Sequence, residues 1–353
     1  MTGTKSTPLS TPATALYIGS ALRHSLTGAC RTPNSWPCFR EPVMSAVVPH
    51  IRIFQIHYHP EQVAQLDPAF VSYDNTGDPS PLLEFNVFRK IASSGLVEDV
   101  DLWGALSWKF TQKTGLSGQE LINTLHANPG YDVYFCNPFP ETEALFHNLW
   151  CQGETAHPDF LNLSFDFLQA AGLPTATLDE LSPSWLFAAT NYFVATPDFW
   201  QNYLRFVSDA LDQAQANLLP PARIVLFSSL ADPRSMHAEA SYLPFIIERL
   251  FGLFLSLHGD KYKAFKYLAR KADTPALNEH LKTLSAIKDK AIATQDKWLA
   301  GCWLNYCRTY VALVHGRAWA RQIHATAMPT RMQLCNARPM VDSQREVEQH
   351  VGH

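Results

Sequence analysis

Residues 51–58 read IRIFQIHY, with Ile51 and Ile53 on one face of an extended segment and Phe54, Ile56 and Tyr58 on the other. A strand apolar on both sides belongs inside a sheet that is covered on both faces. Pro60 ends it. The segment beyond, LDPAF and then VSYDNTGDPSP, is too polar and too punctuated by Pro, Asp, Asn and Gly to be core. In open α/β sheets ligands bind in the crevice outside the carboxyl ends of the strands. The stretch ending in Asp74, Asn75, Thr76 and Gly77 therefore marks where a site is expected.

The alternation continues along the chain. Residues 82–91 have the spacing of a short helix, and Glu98-Asp99-Val100-Asp101 leads into LWGALSW, a second strand. Ser117-Gly118-Gln119-Glu120 is a capping box ahead of Leu121, Ile122 and Leu125, with Asn128-Pro129-Gly130 as the stop. Residues 131–136 read as a third strand, 141–150 and 160–171 as helices, and 186–195 as another buried strand. Thr196-Pro197 opens a helix carrying Trp200, Tyr203, Leu204, Val207 and Leu211 at helical spacing. Residues 224–227 are expected to be the last strand, with SSLADPRS as its loop, and only amphipathic helices are expected from Ala238 to about Gln322. The expected fold class is α/β, a Rossmann-like, mostly parallel sheet flanked by helices over 49–237, then a helical C-terminal region over 238–322 packed on it. Residues 1–48, rich in Thr, Ser, Ala and Pro, and the polar residues 323–353 are expected to be unstructured, with Met44 as an alternative start.

A chain of 353 residues with 46% hydrophobic content can bury a large core. The net charge of -4, with basic residues scattered, gives no electrostatic footprint for nucleic acid. Seven cysteines without a CxxC pair suggest neither a disulfide framework nor a structural zinc site, which fits a reducing compartment. The longest apolar stretch, 242–257, is interrupted by Glu248 and Arg249 and falls short of a membrane span, so no transmembrane segment is expected. The expected location is cytoplasmic, free or peripheral at the inner face of the membrane.

Asp99-Val100-Asp101 is a DxD, a spacing that lets two carboxylates at a strand end share a hard cation such as Mn or Mg. Asp74 and Asn75 can either hold ligand hydroxyls or simply shape an Asx turn with Gly77 at positive φ. Asn191, inside an apolar strand, must satisfy its amide against backbone or point into the site. Glu248 and Arg249 lie in an apolar helix, where they either clamp two parts of the molecule or present Arg249 to a phosphate.

Four segments, in order, resemble the nucleotide-sugar-dependent glycosyltransferases of bacterial surface-polysaccharide gene clusters, which have a GT-A-like sheet. They are DNTGD at Asp74 to Asp78, DLWGALSWKF at Asp101 to Phe110, YDVYFCNPFP at Tyr131 to Pro140 with the helix after it and His157, and NYFVATPDFWQNYLRF from Asn191. A fifth, SYLPFIIERLFGLFL from Ser241, resembles the helix with a Glu-Arg-Leu triplet that closes such domains. The resemblance implies transfer of a sugar from a nucleotide-sugar donor to a glycan or lipid-linked acceptor, by a hexosyltransferase-type enzyme. It implies Asp101, Lys109 and Asn191 as catalytic residues and Asp74, Asn75, Thr76, Asp132, Glu248 and Arg249 as substrate-binding residues; Asp99 with Asp101 as metal ligands rests on the DxD spacing alone, since the family pattern has no partner at Asp99. The chain departs from the pattern where relatives carry a basic His-Tyr-Arg-Arg run, because Leu106-Ser107-Trp108-Lys109 leaves one cation there.

Two other readings stand beside it. His57-Tyr58-His59 could place two imidazoles on one metal in a hydrolase, with His157, His237 and Asp232 as the remaining candidate ligands. The loss of basic residues around Lys109 also suits a non-catalytic, carbohydrate-binding relative of the transferases.

Overall fold

The computed structural model describes residues 49–227, 240–269 and 278–317. Residues 1–48, the tail from 323 and the SSLADPRS loop lie outside the described residues. Along the chain run β1 (Ile51–His57), β2 (Val71–Asp74), α1 (Glu84–Ser93), β3 (Leu102–Ser107), α2 (Phe110–Thr114), α3 (Gly118–Ala127) and β4 (Val133–Phe135). Next come α4 (Pro140–Leu145), α5 (Leu149–Ala156), α6 (Phe160–Ala170), β5 (Phe193–Ala195), α7 (Pro197–Asn217) and α8 (Pro220–Phe227). The chain ends with α9 (Leu243–Leu257), β6 (Ala264–Lys266), α10 (Asn278–Thr294) and α11 (Lys297–Val314).

The fold is mixed α/β around a six-stranded sheet of order β2-β1-β3-β5-β4-β6. β1 pairs in parallel with β2 and β3, and β4 with β6; β5 alone runs the other way, between β3 and β4. One face carries Phe54, Ile56, Trp103, Phe135 and Phe193, packed under α1, α7 and α9 by Phe88, Trp200, Tyr203 and Phe251. Trp103 and Trp200 stack with centroids 4.0 Å apart, and Trp200 Nε1 donates to the Trp103 carbonyl at 2.7 Å, fixing α7 to β3. The other face carries Ile53, Leu106, Tyr134 and Val194, covered by Phe110 of α2, by Leu121 and Leu125 of α3, and by Phe70. The strands are apolar on both sides because both sides are covered.

A second cluster joins α4 to α10 and α11 through Leu145, Phe187, Leu284, Trp303 and Cys307. Lys288 of α10 is fully buried in it, and its ammonium donates to the carbonyls of Glu143 and Phe146 at the carboxyl end of α4. A cation there meets the negative end of the helix dipole. Burial still pulls its pKa down to about 8.

Several elements differ from the sequence reading. Residues 71–74 form a strand, β2, whose exposed edge position tolerates the polar residues that suggested a turn. The helix expected over 141–150 is two, because Asn148 caps a new one, accepting from Cys151 N at 2.8 Å and donating to the Leu178 carbonyl at 2.9 Å. Of the strand expected over 186–195, only Phe193–Ala195 pairs; Phe187 is apolar because it packs in the cluster with α10, under Lys288, not because it lies in the sheet. Residues 224–227 belong to α8, which starts on Pro220. The region after Ala238 is not all helical, since Ala264–Lys266 adds an edge strand to β4, and α9 packs Phe251 against Phe193 at 4.5 Å. A boundary at 237 would thus cut through one sheet and one core.

Strand β5 can approach β3 only because residue 104 is glycine: a Cβ there would lie 2.7 Å from the Phe193 carbonyl oxygen and 2.9 Å from Val194 Cγ2. Gly104→Ala is expected to cost about 1–3 kcal/mol, the usual penalty of overpacking a tight core. Urea unfolding of the two proteins measures it, and a loss below the error of the fit would mean that β5 can move aside.

Candidate active site

The carboxyl ends of β1, β2, β3, β4 and β6 and the entry to the reversed β5 share one edge of the sheet. Gln55, fully buried in β1, sets the loops there. Its Oε1 accepts from Asp67 N at 2.6 Å and its Nε2 donates to the Trp108 carbonyl at 3.3 Å, so the loop after β1 and the exit of β3 are held by one side chain. Asp67 in turn accepts from Gly118 N at 2.7 Å, at the start of α3. Residue 118 must be small, since a Cβ would lie 2.6 Å from Asp67 Oδ1.

Beyond β2, Asp74 accepts from Thr76 N at 2.8 Å in an Asx turn, Gly77 takes φ of 74°, and Asn75 N donates to the His57 carbonyl at 2.9 Å. The Thr76 hydroxyl and backbone hold the Asp74 carboxyl below its ordinary range. Asp78 fastens this loop to α1 by accepting from Asn86 at 2.7 Å and Lys90 at 2.9 Å. Asn75 is itself buried, at 6% exposure.

Lys109 follows β3 and lies 4.8 Å above the Trp108 ring; Lys113, one turn on, lies 5.8 Å from the Tyr192 ring. Neither makes a salt bridge among the described residues. Tyr192 is fixed by a 2.8 Å hydrogen bond with the Ser107 hydroxyl.

Asn191 lies at the entry to β5 and donates from Nδ2 to Glu84 Oε2 at 2.9 Å across 107 positions of sequence. Glu84 is the first residue of α1. Burial raises its pKa, against the pull of Asn191 and Lys113. Glu248, on α9, is pushed up to about 7 by burial and by the charge of Glu84, against Arg249 and Lys113. Its side chain keeps 21% of its surface, so it is half-buried and reaches solvent.

Arg249 points elsewhere. It is 3% exposed, and it donates to the carbonyls of Leu149 and Phe245, to Gln152 Oε1 at 2.7 Å and to Glu248 Oε2 at 3.0 Å, with its guanidinium 4.9 Å from the Phe160 ring. It clamps α5 to α9, and with four hydrogen bonds committed it is not placed to hold a phosphate.

Asp99, Asp101 and Asp132 sit on the opposite, amino edge. Arg52 binds Asp99 through both terminal nitrogens, at 2.9 and 3.2 Å; Asp101 Oδ2 accepts from His50 N at 2.8 Å; and Asp132 Oδ2 accepts from Lys263 N at 2.7 Å. These carboxylates tie the starts of neighbouring strands together. They do not join Asp74, Asn75, Thr76, Lys109, Asn191 and Glu248, and the residues present do not fit a DxD metal site at the crevice. Among the described residues no group of three or more His, Cys, Asp or Glu could hold a metal ion. His57 is buried with Nδ1 3.8 Å from Asp74, His59 is exposed, and His157 stacks on Phe245 at 3.9 Å, so these three do not form a ligand set; His237 and Asp232 lie outside the described residues.

No protein-family model matches the chain, and no curated protein does. A solved structure of a WbbM bifunctional glycosyltransferase, in its apo form, is similar with a TM-score of 0.38 and 15% identity over 63% of this chain. The match spans 46% of that chain, less than half its length. A likeness of that degree fixes neither fold family nor chemistry. No helix of the described residues is long and apolar enough to cross a membrane.

Sequence reasoning missed Glu84 and Lys113. Glu84 reads as an ordinary acid in a first helical turn, and Lys113 as a surface lysine; only the arrival of Asn191 beside them gives either a role. The pH dependence tests the environment of Glu248. Its folded pKa of about 7 exceeds its ordinary 4.5, so its stabilising contribution is complete below 4.5 and is lost as the pH climbs to 7. Glu248→Gln removes this titration. The melting temperature of the native protein should therefore fall relative to the variant between those pH values, whereas parallel profiles would place the carboxyl in ordinary solvent.

Proposed function

We propose that the protein is a glycosyltransferase with a GT-A-like catalytic region, moving a sugar from a nucleotide-sugar donor to a glycan or lipid-linked acceptor in surface polysaccharide synthesis. The observation that carries this reading is the gathering of Asp74, Asn75, Lys109, Lys113 and Asn191 at the carboxyl edge of the sheet, with both ammonium groups free of salt bridges among the described residues. A crevice there is where an α/β sheet binds its ligand, and unneutralised lysines suit a diphosphate.

In the reaction an acceptor hydroxyl forms a bond to C1 of the donor sugar. The C1–O bond to the diphosphate breaks, and its electron pair leaves with the diphosphate. The acceptor proton passes to Glu248, whose pKa of about 7 suits a base at neutral pH. Lys109 and Lys113 face the charge that builds on the leaving group, where a fixed cation in a partly dry cleft acts more strongly than at the surface. Asn75 and Asp74 would hold nucleotide or sugar hydroxyls. A Mn or Mg ion would have to be held by the donor phosphates and groups other than Asp99 and Asp101.

A thermal-shift panel of nucleotides and nucleotide sugars, with and without manganese, tests the donor class. A ligand at a hundred times its Kd raises stability by about 2.7 kcal/mol. Lys109→Met is expected to leave the ligand-free melting temperature unchanged and to lower donor turnover by about 10²-fold or more, as when one electrostatic stabiliser is lost. Full activity of that variant in a chelator-resistant reaction would remove Lys109 from the mechanism. Donor turnover of any kind argues against the non-catalytic relative, and tightly held zinc would argue for the hydrolase.

A further inference from the structure

Glu84 at the start of α1, Asn191 at the entry to β5 and Glu248 on α9 together offer hydrogen-bond acceptors and few donors. Glu84 spends Oε2 on Asn191, and Glu248 spends Oε2 on Arg249. Their Oε1 atoms meet no donor among the described residues. Asn191 is 5% exposed, and its Oδ1, which shares one planar amide with the nitrogen bound to Glu84, is buried without any partner. A buried acceptor left unmade costs about 1–3 kcal/mol, so this side chain is aimed at something that supplies a donor. The guanidinium of Arg249 already pairs with Glu248 and the amide nitrogen of Asn191 with Glu84, so the remaining acceptors suit the hydroxyl donors of a neutral molecule. The half-buried ring of Phe139 beside Lys113 adds apolar surface.

We propose that the recess formed by Glu84, Asn191 and Glu248 binds the hydroxyl groups of a neutral sugar, and that this sugar is the acceptor, a naming that rests on the transferase reading. Adjacent hydroxyls on a pyranose ring donate in diverging directions. They can reach two carboxylate oxygens and an amide oxygen at once, while the ring's C–H face lies against an aromatic side chain. The site would thus select a polyol over a phosphate, which the carboxylates repel, and would keep acceptor and donor diphosphate on separate sides of the crevice.

Saturation-transfer NMR on the full chain tests this with the methyl glycosides of glucose, galactose, mannose, rhamnose and N-acetylglucosamine. At least one should bind without nucleotide present. Its affinity should fall about tenfold or more in Glu84→Gln and in Glu248→Gln, as when a charge-assisted hydrogen bond is lost. Both changes are isosteric, and a single cooperative melting transition in each variant shows that it folds. If none of the five sugars binds, or if binding is the same in both variants, the proposal is overturned. Nucleoside diphosphates added to the same samples separate the two ideas. Carboxylate-dependent sugar binding without nucleotide binding keeps the recess and removes the transferase, and nucleotide binding without carboxylate-dependent sugar contact does the reverse.

Discussion

The reversed strand β5 is the constraint on which the rest of the molecule depends. It joins the parallel set β2-β1-β3 to the pair β4-β6, and it does so with three residues, Phe193–Ala195. Because it runs against its neighbours, the chain enters it at the edge where the other strands end. Asn191 and Tyr192 therefore arrive beside Glu84 and Ser107. A parallel strand in the same place would carry Asn191 to the amino edge, among Asp101 and Asp132. The close approach at Gly104 and the Trp103–Trp200 stack behind it keep this short strand in register.

The two edges of the sheet use charge in opposite ways. At the amino edge each carboxylate is matched to a donor on a neighbouring strand: Asp99 to Arg52, Asp101 to the backbone of His50, Asp132 to the backbone of Lys263. Such pairs are exposed and add little stability each, but they fix where strands begin. At the carboxyl edge Lys109 and Lys113 lack salt bridges among the described residues, Asn191 Oδ1 is buried without a partner, and burial raises the pKa of Glu84 and Glu248. Polar groups left unmatched inside a fold cost free energy, and that cost is tolerated where a ligand removes it. The contrast gives the crevice its character without reference to any other protein.

Much of the fold was legible in the sequence because local chemistry and tertiary position agreed. The run at Ile51–His57, the capping box at Ser117 and the Thr196 cap ahead of Pro197 all form what their residues suggest. Edge strands were not legible. Val71–Asp74 buries only part of Tyr73, and Ala264–Lys266 is too short to show alternation, so neither carries a periodic signal. Asp74 and Asn75 were expected at the carboxyl edge because they follow a strand, where position in the chain predicts position in the fold; Lys109 was named by the family resemblance, and it too follows a strand, β3. The DxD misled because two carboxylates at i and i+2 before a strand look alike at either edge, and only the partners, Arg52 and His50, tell them apart. Glu84 was invisible because its role depends on a residue more than a hundred positions away.

The pairing of β4 with β6 also bears on how the chain is made. Val133 meets Ala264, so one side of β4 has no neighbour until residues far downstream exist. At translation rates of about 5–20 residues per second, that interval is on the order of ten seconds. Throughout it the nascent sheet presents an unpaired backbone edge flanked by Tyr134 and Phe135, a surface to which another extended chain could add. The last strand of the sheet is therefore also its shield, and the exposed Lys263 just ahead of it places charge where a stray strand would otherwise dock.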